Sequence, residues 1–196
     1  METPRTPPAH SWNASLLDQL AWHWRSQLRP RLDGLSDDEY LWEPAAGAWS
    51  VRPRGAASPD YPGAVAVGAG DLVIDFAFPE PRPAPVTSIA WRLGHLVVGV
   101  FGARNAAHFG GPEVRYETHD YAATADGALA QLDAAYGRWH DGVLGLGEEG
   151  LLRPCGPAEG PWAEAPLADL VLHINREAIH HGAEIALLRD LYAHRP

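Results

Sequence analysis

The chain has 196 residues, 46% of them apolar and 20% charged, the balance of a globular protein that can bury one real core and would be cramped as two domains. Its net charge of −10 argues against a nucleic-acid partner, because binding phosphates needs a basic patch and none is visible. The single cysteine, Cys155, excludes an intrachain disulfide framework and a cysteine-built zinc cluster. No stretch reaches the roughly 18 apolar residues of a membrane span, and the start of the chain has no signal-peptide pattern; a cytoplasmic protein is expected.

Residues 1–10 read as a loosely attached tail, and 11–196 as a single domain. The first helix opens near Ser11 or Asn13 and carries Leu16, Leu17, Leu20, Trp24 and Leu28 at helical spacing, with Pro30 expected to end or bend it. Ser36 to Glu39 is a capping box that starts a short helix through Trp42, stopped by Pro44. From Ala45 to Pro85, glycines and prolines dominate. The one strand-like piece, Asp71 to Phe78, alternates Leu72, Ile74, Phe76 and Phe78 and is expected to lie across the helices as an extended strap. A second long helix runs from Thr87 or Ser88 to about Phe109, before Gly110-Gly111-Pro112. A third covers about Thr124 to Leu144, and a fourth about Ala165 to Ala193. The expected fold is all-α: a four-helix bundle whose long crossover between the first two long helices carries the short helix and the strand-like segment.

The fourth long helix carries the chemistry. At about 100° per residue, Glu177 lies near −40° of His181, with Leu170, Ile174, Ile185 and Leu188 within about 40° on either side. Both polar groups therefore point into an apolar seam. An unpaired buried carboxylate costs several kcal/mol or takes up a proton, whereas a divalent metal satisfies imidazoles and a carboxylate together. In a bundle a further ligand comes from a facing helix, and the second long helix offers His95 on an apolar face lined by Gly99, Gly102 and Ala106. The candidate metal set is His95, Glu177 and His181. A buried Glu–His hydrogen-bond network without metal would leave the same pattern. His180, His173 and Glu184 stand at the edge of the inward face, as alternate ligands or as hydrogen-bond partners of the ligating imidazoles.

Other residues carry less. His10, His23, His108, His119, His140 and His194 read as surface or boundary histidines, and the tryptophans mostly as packing anchors. Cys155 has no histidine near it in sequence and reads as a non-catalytic loop cysteine. There is no G-x-S-x-G elbow and no phosphate-cradling glycine loop. Leu172, Ile179, Ala183 and Ala186 put a second apolar face on the fourth helix, to be covered by the 45–85 connection or by a second subunit.

Three blocks carry a family resemblance: Trp22-His23-Trp24 with Leu28-Arg29-Pro30-Arg31-Leu32, then Ile89-Ala90-Trp91-Arg92-Leu93-Gly94-His95-Leu96, then Asn175-Arg176-Glu177 with His180-His181-Gly182-Ala183-Glu184-Ile185. Together they resemble the DinB-like superfamily, four-helix-bundle proteins that include thiol-dependent enzymes such as mycothiol-dependent maleylpyruvate isomerase and bacillithiol transferases. The resemblance implies a divalent metal (zinc, nickel, iron or manganese) on His95 and His181. Glu177 stands where the family pattern usually has histidine. It also implies a low-molecular-weight thiol as co-substrate, transferred to a small electrophile, and a homodimer. All 15 basic residues are arginine, which suggests a GC-rich genome and, with the resemblance, mycothiol as the thiol. A non-catalytic metal- or ligand-binding stress-response bundle and a metal-dependent hydrolase share the same inward residues.

Overall fold

The computed structural model describes residues 11–195; the expected tail, with His10, lies outside them. Four long helices dominate. The first, α1, covers 12–31 and is capped by Ser11, whose hydroxyl accepts the Ala14 N–H at 3.1 Å. It is α-helical over Trp12–His23, widens to a π-helical turn over Trp24–Leu28 and closes over Arg29–Arg31. The wide turn sits immediately before Pro30, which brings no N–H and crowds the carbonyl four residues back. The proline is thus accommodated, and α1 ends one residue after it.

The short helix α2, Asp37–Leu41, starts on half of the expected capping box. Ser36 accepts the Glu39 N–H at 3.2 Å, while the Glu39 carboxylate turns away to Arg189, 2.8 Å from its Nε. The strap expected at 71–78 is instead the centre of a three-stranded antiparallel sheet. Strands β1, Val51–Pro53, and β2, Val65–Val67, flank β3, Leu72–Phe76. Val51 stands opposite Ile74 and Val65 opposite Phe76. The outer strands are too short to show alternation in sequence, and what fixes one of them is polar. Asp75, fully buried, accepts the Ser50 N–H at 2.9 Å and the Arg52 guanidinium at 2.8 Å, and its carbonyl accepts the Trp91 indole N–H at 2.7 Å. That bond ties the sheet to the next helix.

The second long helix, α3, covers 89–108, with a π-helical stretch over Leu96–Gly102. Ser88 caps it, accepting the Trp91 N–H at 3.2 Å, and Gly110, at φ +65°, makes the left-handed turn after it. α4 is Ala125–Leu144 on a Thr124 cap. A short α5, Gly147–Leu151, and a 3₁₀ turn, Pro157–Trp162, lead to α6, Leu167–Ala193.

α1 and α3 each pack against both α4 and α6. The approach of α1 to α6 is close at Gly182, where a Cβ would lie 2.9 Å from the Leu28 side chain. Leu93, Leu96, Phe101, Leu132, Ile174 and Ile185 form the centre, each at most 1% exposed; burial of each such side chain stabilises the fold by about 1.5–3 kcal/mol. Three tryptophans depart from the mostly buried packing role: Trp12, Trp22 and Trp162 are exposed. The second face of α6 is also open, with Leu172 and Ile179 at the surface, so the 45–85 connection does not cover it. Among the described residues no helix is long and apolar enough to cross a membrane.

Candidate metal centre

α3 and α6 bring His95 and His181 together, as the wheel argument requires. Their rings meet edge to face with centroids 4.7 Å apart. His181 is buried, and His95 is half-buried under Trp91, whose ring stacks on it at 5.3 Å. Glu177, one turn before His181, is half-buried; its Oε2 lies 3.5 Å from His181 Nε2. His181 thus neighbours both His95 and Glu177, while Glu177, expected in the apolar seam, is one third exposed (34%) at its edge.

Each imidazole has its other nitrogen engaged. His95 Nδ1 lies 2.6 Å from the Tyr116 hydroxyl, and His181 Nδ1 lies 2.7 Å from Glu184 Oε2. Arg92 approaches His181 Nδ1 at 3.3 Å and Glu184 Oε2 at 3.1 Å. The shorter contact decides the tautomer. Nδ1 donates to the carboxylate, a charge-assisted bond, and Arg92 then pairs with Glu184 alone. His181 Nε2 faces Glu177 Oε2 at 3.5 Å.

The electrostatics agree with that division. Burial, aided by His181 and the Arg92 charge, pushes the His95 imidazole down to about 3, so at neutral pH it is an uncharged donor. Burial raises the Tyr116 phenol, which stays protonated. Burial would also raise Glu184, but the His181 hydrogen bond and the Arg92 charge outweigh it and hold the carboxyl below its ordinary value.

The alternates expected from sequence are also nearby. His180, His181 and Glu184 present donor atoms within 4.8 Å of one another and could hold a metal ion. Glu184, however, already serves His181, Arg92 and, at 3.4 Å, His180, and His180 is exposed and about 100° around the helix from its neighbour. Glu177 has the larger unspent capacity, with no contact shorter than the 3.5 Å to His181 and 3.7 Å to His173. Two imidazoles beside a carboxylate are a donor set that suits a borderline divalent cation.

Two members of the site were missed in sequence. Arg92 stands one turn before His95, a signal that was available. Tyr116 comes from the irregular 109–124 segment, where no periodicity marks it; it is stacked at 4.5 Å on Phe76 of β3. It also fills the space beside Gly99 and His95, since a Cβ at Gly99 would run into the Tyr116 hydroxyl. His108, expected at the surface or boundary, is half-buried, its Nε2 2.9 Å from Glu159. Cys155 is buried with its thiol pushed up by that burial, which agrees with a non-catalytic cysteine.

A family model described as the DinB superfamily matches residues 65–185, well over half of the chain. The match spans β2, β3, α3, Tyr116 and every donor named above. No curated protein and no solved structure gives a significant match.

Proposed function

The chain belongs to the DinB superfamily, and from that premise we propose that it binds one divalent cation through His95, Glu177 and His181. The four long helices then form a four-helix bundle with this centre between α3 and α6. The observation that carries the reading is the pair of facing imidazoles whose Nδ1 atoms are both held, by Tyr116 and by Glu184. Such outer partners fix ring orientation and leave the second nitrogens for a metal. Zinc, nickel, iron and manganese all accept this donor set.

The proposed activity is transfer of a low-molecular-weight thiol of the mycothiol type to a small electrophile. When bound, the cation would supply a Lewis acid and lower the pKa of a thiol. The chain's own residues do the rest. Glu184 holds the His181 proton at Nδ1, Arg92 holds Glu184, and Trp91 shields the His95 ring from water. For His95 to donate through Nε2, its Nδ1–H must point to the Tyr116 oxygen, and burial of that phenol keeps it neutral. A homodimer in the cytoplasm completes the proposal; the open α6 face at Ile179 and Ala183 supports the dimer.

Elemental analysis of protein purified without chelators tests the reading. About one equivalent of metal is expected in the wild type and none in His181→Ala. A His181→Ala protein that retains metal stoichiometrically overturns the ligand assignment, and metal-loaded protein that consumes no mycothiol with any electrophile tested overturns the activity.

A further inference from the structure

Beside the metal centre, between α6 and the 3₁₀ turn, lies a cavity of about 770 Å³, in the range of small-molecule sites. His95, Glu177 and His181 do not line it. His173 joins the two places: it lines the cavity, and its Nδ1 is 3.4 Å from an Arg176 terminal nitrogen and 3.7 Å from Glu177 Oε1. At His173 the cavity is therefore one side chain from Glu177.

The walls differ in chemistry. Trp162 and Leu172 present bare apolar surface, 72% and 44% exposed. Of the charged residues, Glu159 is already committed, to Arg104 at 3.3 Å and to His108 at 2.9 Å, so those inner charges offset one another. Arg176 differs from them. It is exposed, lines the cavity and pairs with no carboxylate among the described residues. Asp169, the other unspent charge on that wall, is seven residues earlier, about 10 Å away along the helix axis. A guanidinium is a planar fork that matches a carboxylate, and the indole beside it suits a flat apolar group.

We propose that this cavity binds a small amphipathic carboxylic acid, its carboxylate on Arg176 and its apolar body against Trp162 and Leu172. The assignment rests on the proposed function only in calling this acid a substrate; the binding itself needs no metal.

The test uses the full chain treated with chelator, so that no carboxylate can sit on a metal. 4-Phenylbutyrate is titrated by tryptophan fluorescence and calorimetry, against 4-phenylbutanol and butyrate. Saturable one-to-one binding of 4-phenylbutyrate is expected, with 4-phenylbutanol at least about tenfold weaker, as loss of one charge-assisted pair implies, and butyrate at least about tenfold weaker because it has no ring to bury against Trp162. Arg176→Gln should lose about tenfold for 4-phenylbutyrate and leave 4-phenylbutanol unchanged, whereas Trp162→Ala should weaken both phenyl compounds. Both positions are exposed, and circular dichroism checks that the variants fold. Equal binding of acid and alcohol, indifference to Arg176→Gln, or binding seen only after metal is restored would each overturn the proposal. Failure of the metal assignment shows separately, in the metal content of His181→Ala.

Discussion

His95 and His181 stand 4.7 Å apart and are held by opposite means. His95 sits among apolar and aromatic groups, with a phenol as its hydrogen-bond partner, and burial keeps it uncharged. His181 is more buried, yet its partner is a carboxylate braced by a guanidinium. One imidazole is made a donor by dryness, the other by a charged network that fixes its proton. Buried imidazoles need partners with or without a ligand, so the contrast shows that each ring is oriented by a different force, and the two supports should respond differently when they are removed.

The largest effect should come from deleting either ring. His95→Ala should lower metal affinity by at least about 100-fold, as loss of one of three protein ligands implies, read by equilibrium dialysis; an unchanged affinity would leave His95 as a bystander. The supports should matter less, and differently. Tyr116→Phe removes the only described partner of His95 Nδ1 and should cost about 10- to 100-fold in affinity, the usual range for outer-shell partners. Arg92→Gln leaves the Glu184–His181 bond in place and should cost only a few-fold, with a stronger dependence on salt because Glu184 is then braced less. If the two substitutions have equal effects, the distinction between the dry and the charged imidazole fails.

The smallest effect concerns protons in the metal-free protein. Since His95 titrates near 3 when folded and near 6.5 when unfolded, the unfolded chain binds the extra proton first. Its contribution is therefore lost as the pH falls through about 6.5 toward 3, and stability should decline in that window. Histidine NMR should show the His95 ring neutral at pH 5; a protonated ring there would contradict the account of its surroundings.

The helices were legible because sequence wrote them twice, once as apolar spacing and once as caps at Ser11, Ser36, Ser88 and Thr124, all of which form. The meeting of His95 and His181 was legible for the same reason: a polar group on an apolar face is visible in the period. The sheet was only partly so. β3 alternates, but β1 and β2 are three residues each, and β1 is fixed by the buried contacts of Asp75 with Ser50 and Arg52, which join residues more than 20 apart in the chain. Tyr116 was invisible because only the fold returns its loop to α3. The partner of His108 was equally hidden, because Glu159 is 51 residues away.

The most direct test of the central claim is an anomalous-scattering map of crystals grown with the bound metal. The account predicts one peak between α3 and α6, coordinated by His95, Glu177 and His181, with Glu184 hydrogen-bonded to His181 and not to the ion. A peak held by His180, His181 and Glu184 with His95 uninvolved would contradict it.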